Sequence, residues 1–305
     1  IYKGQALEIT NLNDPKILDL SNVDKQLMVL SDATKYAIRP IEARILHPED
    51  CIAKGIPLRF GALLEGGYGT GKTLLAFKLA RQAVTNGWVF IYLKDPTLLA
   101  ETIRMSKVID KSGHGAVIFC EDLDQVARGN RDASMQDILN TLDGGDTKDM
   151  NVISLFTTNH IELIEPTFLR GKRIGSIISM GGLDAKTAEE FIRRSFDTDC
   201  YTINEDLTEV CKEVEQSNIV PAFMAEIIES VKSNMVLDGE CEVKADYLKF
   251  SIEAYKRQVE LARTKNTDGT PADHLINSVN ECFGIQAMKK QISEIADMVE
   301  EMKDE

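Results

Sequence analysis

The amino-acid sequence predicts an α/β fold with a five-stranded parallel sheet, followed by a small all-helical domain. Five short apolar runs between residues 60 and 179 alternate with segments that repeat apolar residues every three to four positions. The runs need not alternate with polar residues, because helices cover both faces of a parallel sheet. After Ser179 the pattern is helical to about residue 262, with no convincing buried strand. Strands separated by helices require right-handed crossovers.

The elements follow one another in a regular order. The predicted strands are FGALLEG, WVFIYLK, AVIFCED, NVISLFTTN and RIGSIIS. A helix over KTLLAFKLARQAVTNG follows the first strand and ends at Asn86 and Gly87, which is a typical helix stop. Asp184 is placed to cap the first helix of the second domain. We therefore predict a lead-in over residues 1–20, an α/β domain over 21–183, a helical domain over 184–262, and a linker with an acidic helix over 263–305.

Composition narrows the classes of function. The chain has 305 residues and a net charge of −14, which disfavours broad binding to nucleic acid, since that affinity comes from Lys and Arg neutralising phosphates. No apolar run approaches the roughly 20 residues that cross a bilayer, so no membrane span is expected. The six cysteines include no C-x-x-C pair, which favours a reducing compartment, and we expect a cytoplasmic protein. Neither the cysteines nor the four histidines suggest a transition-metal site.

The segment LLEGGYGTGKTLL places four glycines within six positions. It satisfies the pattern G-x-x-x-x-G-K-[ST] between a predicted strand and a predicted helix, which is the context that a phosphate-binding loop requires. Backbone N–H groups of such a loop surround the phosphates, the lysine reaches the outer phosphates, and the threonine hydroxyl is offered to Mg²⁺. The sequence therefore predicts a nucleotide with Mg²⁺, bound by Gly66, Gly67, Tyr68, Gly69, Thr70, Gly71, Lys72, Thr73 and Leu74.

Polar side chains follow two further predicted strands. The strand AVIFC ends in Glu121 and Asp122, at the sheet edge where ligands of parallel folds bind. These carboxylates, with Thr73, are candidates for the metal shell, and one of them could orient a water for attack on the γ-phosphate. The strand that ends in TTNH supplies Asn159, whose amide could position the same water.

Two arginines, Arg170 and Arg173, lie in FLRGKR before the last predicted strand. An arginine delivered to a neighbouring active site stabilises transition-state charge and accelerates phosphoryl transfer by roughly 10³–10⁵. Arginines in such a segment are also ordinary surface charges, and both interpretations stay open at this point.

The ordered set GGYGTGKT, VIFCEDLD, LNTLDGG, TTNH and PTFLRGKR resembles the AAA-family ATPases over about residues 22–235. Its local motifs are closest to the Bcs-type and meiotic-like subgroup, although the membrane anchor of the Bcs type is missing from this sequence. The resemblance implies a P-loop NTPase domain with a helical lid, ATP and Mg²⁺ as cofactors, and a homo-oligomeric ring, usually of six subunits. It further implies a Walker B pair, a first sensor, and arginine fingers that reach the adjacent subunit, which are Glu121 with Asp122, Asn159, and Arg170 with Arg173.

Four features depart from the family pattern. The phosphate loop has Gly67 and Tyr68 where the family usually has two prolines. The acidic pair is Glu-Asp instead of the usual Asp-Glu, although the Bcs-type subgroup has the same order. The segment between the second and third strands lacks the aromatic residue, hydrophobe and glycine that thread unfolded chains through a pore. Pro221 and Ala222 occupy the position of a second sensor, where no arginine is present.

The favoured function is therefore an ATP-hydrolysing ring ATPase that remodels an unidentified protein partner or adaptor. One alternative is a DNA-acting ring ATPase with a positive pore from Arg128 and Arg131, which the net charge disfavours. Another is a slowly hydrolysing, nucleotide-gated binding module, because Asp122 is one methylene shorter than the usual water-orienting residue.

Overall fold

The computed structural model describes residues 3–109, 115–125, 127, 133–144, 150–170, 173–198 and 200–264. These residues form two compact units. The first lies within residues 1–66 and 71–180, and the second comprises residues 67–70 with the described part of 181–305. The predicted C-terminal helix beyond residue 264 lies outside the described residues, as do Arg128 and Arg131.

The first unit is built on a mostly parallel sheet of seven strands. The strands are β1 (Ala6–Ile9), β2 (Lys16–Ile17), β3 (Phe60–Glu65), β4 (Val89–Leu93), β5 (Ala116–Cys120), β6 (Val152–Thr158) and β7 (Ser176–Ser179). Their order across the sheet is β2-β1-β4-β5-β6-β3-β7, and within the described residues β1 with β2 is the one antiparallel pair.

The prediction of five strands was too low. Each of the five predicted runs contains one of the strands β3 to β7, and two additional strands, β1 and β2, lie in the predicted lead-in over residues 1–20. β1 pairs in parallel with β4, so the lead-in extends the sheet at the β4 edge. These strands were missed because they are only four and two residues long. β1 is stabilised by pairing with β4, far along the chain, and β2 by pairing with β1.

Helices cover both faces of this sheet. On β4, Phe90 and Tyr92 belong to the apolar cluster that contains residues of α1 and α3, whereas Val89, Ile91 and Leu93 belong to the cluster that contains residues of α4 and α5. Burial on both faces explains why the strands are continuous apolar runs. The helices of this unit are α1 (Asp32–Leu46), α2 (Pro48–Ala53), α3 (Lys72–Thr85), α4 (Leu99–Ile109) and α5 (Ala133–Asp143).

The described part of the second unit is mainly helical. The side chain of Asp184 accepts a hydrogen bond from the Thr187 N–H at 2.7 Å, which confirms the predicted helix cap. α6 packs against α7 and α8 packs against α9. No helix in the described ranges is both long enough and apolar enough to cross a membrane. The helices are α6 (Ala185–Ser195), α7 (Thr208–Gln216), α8 (Pro221–Asp238) and α9 (Ala245–Thr264).

The strand order determines which loops are neighbours. β6 lies between β3 and β5, and Glu65 at the end of β3 is in register with Thr158 at the end of β6. The segments that follow these three strands therefore leave the same edge of the sheet. The loop that starts at Gly66, the acidic pair that starts at Glu121, and Asn159 all lie at that edge.

A matched pair of substitutions tests whether the lead-in is part of the folded domain. Leu7 on β1 is 1% exposed and lies opposite Ile17 on β2, which is 75% exposed. We expect Leu7→Ala to lower the free energy of unfolding by about 2–5 kcal/mol, because it leaves a cavity in the core. Ile17→Ala should change it by about 0.5 kcal/mol or less. The fluorescence of Trp88, the only tryptophan, reports urea unfolding. Equal effects of the two variants would contradict the assignment.

Candidate functional site

The phosphate loop begins where the backbone passes very close to the residue after β7. A Cβ atom at Gly66 would lie 1.9 Å from the carbonyl oxygen of Met180, and the φ angle of Gly66 is +140°. The Met180 N–H donates to the carbonyl of Glu65 at 2.8 Å, which fixes this approach. Only glycine fits at position 66, so the requirement for glycine there is structural before any ligand is considered.

The loop ends at Gly71, the residue that precedes α3. Gly71 adopts a left-handed conformation with φ of +92° and has no side chain to cap the helix. The first N–H groups of a helix carry partial positive charge and favour a bound anion. Leu74, in the first turn, is partly buried and packs against the apolar cluster on this face of the sheet. The start of α3 therefore has the properties of a phosphate site.

Lys72 is the first residue of α3 and is largely buried. Its Nζ donates to the carbonyl oxygen of Gly66 at 2.6 Å and to Oδ1 of Asn159 at 2.8 Å. Both acceptors are neutral. Hydrogen bonds to an ionised acceptor are about twice as strong as those between neutral groups, so a phosphate can compete for this ammonium group.

The side-chain oxygens of Thr73, at the start of α3, and Glu121, directly after β5, lie together. The Thr73 hydroxyl donates to Oε1 of Glu121 at 2.6 Å, and the hydroxyl of Tyr92 on β4 donates to Oε2. A hydroxyl beside a carboxylate is the oxygen donor set that Mg²⁺ prefers. Within the described residues, no group of three or more His, Cys, Asp or Glu residues could hold a metal ion. At nucleotide sites Mg²⁺ is usually held by one or two carboxylates together with phosphate oxygens and water, and the hydroxyl and carboxylate of this pair are suited to that role.

Asp122 has an unusual backbone conformation. Its φ angle is +49°, in the left-handed region that Asp and Asn tolerate better than most residues with side chains. Its N–H donates to the hydroxyl of Thr157 at 3.1 Å, and its Oδ1 accepts from Nδ2 of Asn159 at 3.4 Å. Burial, followed by the charges of Asp124 and Glu121, raises the pKa of Asp122 above its ordinary value. A raised pKa makes this carboxylate a better proton acceptor.

Asn159 connects the loop to the acidic pair. Its amide oxygen accepts a hydrogen bond from Lys72, and its amide nitrogen donates one to Asp122. This side chain, directly after β6, therefore links the start of α3 to the residues that follow β5. The result is a continuous series of hydrogen bonds along the sheet edge. The predicted residues Lys72, Asn159 and Asp122 lie together in this series, with Thr73 joined to Glu121 beside it.

Two residues of the site were not predicted from the sequence. Tyr92 ends in a hydroxyl near the carboxyl end of β4, and Asp124 is buried two residues after Asp122 and accepts from the Thr158 hydroxyl at 2.9 Å. The sequence contained a signal for Tyr92, because a tyrosine near the carboxyl end of a predicted strand places its hydroxyl at the sheet edge where the candidate site lies. The signal for Asp124 was weaker, because its burial depends on contacts with residues distant in the sequence.

The two candidate arginines differ in their surroundings. Arg173 makes a bidentate pair with Asp143, with distances of 2.8 and 2.5 Å, and its Nη1 donates to the carbonyl of Thr167. Its side chain is only 9% exposed. Arg170 is exposed, and no hydrogen bond or ion pair of its side chain is found among the described residues. Arg173 is thus held by its own chain, whereas the side chain of Arg170 is exposed.

The tip of the phosphate loop, residues 67–70, belongs to the second unit. The Ala222 N–H donates to the carbonyl of Gly69 at 3.1 Å, and the Thr70 hydroxyl donates to the carbonyl of Gly67 at 2.9 Å. The first N–H groups of a helix lack partners within it, and Pro221, at the start of α8, has none to offer. The Gly69 carbonyl therefore accepts a hydrogen bond from one of the N–H groups at the start of α8 that have no partner within the helix. Tyr68 is partly exposed beside it.

Comparison with known protein families gives one match. Residues 62–181 match the family described as "ATPase family associated with various cellular activities (AAA)". The matched segment starts within β3 and ends two residues after β7, so it spans the phosphate loop, both acidic residues, Asn159 and the two candidate arginines.

Proposed function

We propose that this chain, which belongs to the AAA family of ATPases through residues 62–181, hydrolyses ATP with Mg²⁺ in order to remodel a protein partner. The observation that carries the proposal is the hydrogen-bonded series at the sheet edge, in which Lys72, Asn159 and Asp122 follow one another. A lysine, a water-orienting amide and a base are the groups that phosphoryl transfer to water requires.

Binding begins with the phosphates. The N-terminus of α3 attracts their negative charge, and Lys72 exchanges its neutral acceptors, the Gly66 carbonyl and the Asn159 amide, for outer phosphate oxygens. Thr73 and Glu121, whose side-chain oxygens lie 2.6 Å apart, would hold the metal ion. Bound Mg²⁺ supplies neutralisation of the charge that develops on the phosphate oxygens.

Hydrolysis then depends on one water molecule. When Lys72 leaves the Asn159 oxygen, that oxygen becomes available to orient the water, while the Asn159 nitrogen keeps Asp122 in place. Asp122 accepts the proton as the water oxygen forms its bond to the γ-phosphorus and the bond to the ADP oxygen breaks. The raised pKa of Asp122 favours this proton transfer.

The active site is completed by a neighbouring subunit through Arg170. This arginine is exposed and precedes β7, whereas Arg173 is committed to Asp143. Delivery from a second subunit requires an oligomer, and a closed ring, with six subunits as the expected number, gives every site one finger. Arg173 then acts as a support that holds the segment carrying Arg170.

The helical unit acts as the lid that transmits the nucleotide state. Gly69, in the tip of the phosphate loop, is tied to the start of α8 through the Ala222 N–H. A change in the loop on loss of the γ-phosphate is therefore passed to α8. We favour a protein as the remodelled partner, since the net charge of −14 disfavours nucleic acid.

Asp122→Asn separates binding from hydrolysis. Asn tolerates the left-handed backbone and removes one of the crowded carboxylates, so the variant should bind ATP like the wild type and should melt no lower. Its turnover should fall by about 10²–10⁴, because the base is lost. Phosphate release, binding of a fluorescent ATP analogue and thermal melting measure the three effects. Asp246→Asn, at an exposed carboxylate on α9, is the control and should change none of them. Unchanged turnover in Asp122→Asn would contradict the assigned base and favour a nucleotide-gated binding module.

Mixing two inactive variants tests the shared site. Arg170→Ala should lower turnover by about 10³ without lowering the melting temperature, because the side chain is exposed. Arg173→Ala should lower the melting temperature, because its pair with Asp143 is lost. In a mixture of Arg170→Ala and Asp122→Asn subunits, some intact sites receive Arg170 from an Asp122→Asn neighbour, so turnover should exceed that of either variant alone. A mixture no faster than its components would contradict completion of the site in trans.

A further inference from the structure

Tyr92 contacts the proposed metal site but belongs to none of the expected motifs. It lies on β4, is 8% exposed, and donates its hydroxyl to Oε2 of Glu121. Its ring stacks on Phe119 with centroids 5.4 Å apart and planes at 18°, and it meets Phe77 edge-on at 5.4 Å. The packed aromatic rings hold the Tyr92 side chain in one orientation and thereby fix the position of its hydroxyl.

The two oxygens of Glu121 have different donors. Thr73 donates to Oε1 at 2.6 Å, and Tyr92 donates to Oε2. A carboxylate held at both oxygens cannot rotate freely, so its remaining lone pairs have fixed directions. Hydrogen bonds of this kind, made to a metal ligand by a second residue, orient the ligand, and losing one typically costs 10–100-fold in metal affinity or activity.

We infer that Tyr92 is a positioning residue, which sets the carboxylate of Glu121 beside Thr73 and thereby strengthens Mg²⁺ binding at the nucleotide site. The inference rests on the proposed function, since it assigns a role within the same site. A phenol has an ordinary pKa of about 10, so the Tyr92 hydroxyl is a hydrogen-bond donor at neutral pH.

This arrangement also gives a reason for glutamate at position 121. The backbone of Glu121 leaves the end of β5, and its carboxylate reaches Thr73 at the start of α3 and Tyr92 on β4 at once. Aspartate is one methylene shorter and would have to give up one of these donors. Tyr92 and Glu121 therefore act as a pair. The hydroxyl of Tyr92, on the neighbouring strand β4, explains why glutamate stands where the usual order has aspartate.

Tyr92→Phe removes only the hydroxyl and keeps the aromatic ring. Binding of a fluorescent ATP analogue is measured at a series of Mg²⁺ concentrations and again in EDTA. We expect the half-saturating Mg²⁺ concentration to rise by about 10-fold, with unchanged binding in EDTA. A residue with a merely structural role would alter the melting temperature but not the Mg²⁺ requirement. Tyr247→Phe removes a hydroxyl that donates to Asp238 on α8, at 3.1 Å, and should leave the Mg²⁺ titration unchanged.

Glu121→Asp gives the second test. If the tyrosine acts through the longer carboxylate, then Tyr92→Phe should add less than about 2-fold to the Mg²⁺ requirement when Glu121 is already replaced. Full additivity of the two changes would contradict the inference, as would a shift below about 2-fold for Tyr92→Phe alone. These outcomes leave the proposed function intact. Wild-type protein that binds the analogue without any dependence on Mg²⁺ would instead overturn the metal site of the proposed function itself.

Discussion

The hydrogen bonds donated by Lys72 to Gly66 and Asn159 are the interaction on which the rest of the site depends. They connect the phosphate loop after β3 to the end of β6, so that the loop lies against the sheet edge. Asn159 then extends the connection to Asp122. Because Lys72 is largely buried, its ammonium group needs acceptors, and a phosphate can replace the neutral ones. The loop is thus held in a form prepared for an anion.

The parts of the fold predicted from the sequence are those with local signals. β3 to β6 were recognisable because both of their faces are buried, and the phosphate loop because its motif lies between a strand and a helix. β7 lies at the edge of the sheet and is only partly buried, and its β-branched residues made it recognisable. β1 and β2 were not recognisable, since β1 is held in the sheet by pairing with the distant β4, and β2 by pairing with β1. Strand ends correctly suggested that Glu121 and Asn159 lie at one edge. The ion pair between Arg173 and Asp143 joins residues 30 positions apart, and no local sequence pattern predicts it.

The Glu-Asp order was a doubtful feature of the sequence, and the structure gives each position a physical reason. Position 122 has a left-handed backbone, which Asp tolerates more readily than Glu. At position 121 the longer side chain reaches both Thr73 and Tyr92. Burial, followed by the charges of Asp124 and Glu121, raises the pKa of Asp122, so the surroundings that disfavour its ionised form also make it a better base.

The most direct test of this account is equilibrium binding of a fluorescent ATP analogue to the wild type and to Lys72→Met. Methionine keeps the apolar stem but removes the charge, and circular dichroism melting establishes whether the variant is folded. We predict saturable binding by the wild type in Mg²⁺ and an affinity at least about 10-fold weaker for Lys72→Met, because a charge-assisted contact with phosphate contributes about 1.5–3 kcal/mol. Equal affinities in two folded proteins, or no binding by the wild type, would contradict the claim that this loop is a nucleotide site.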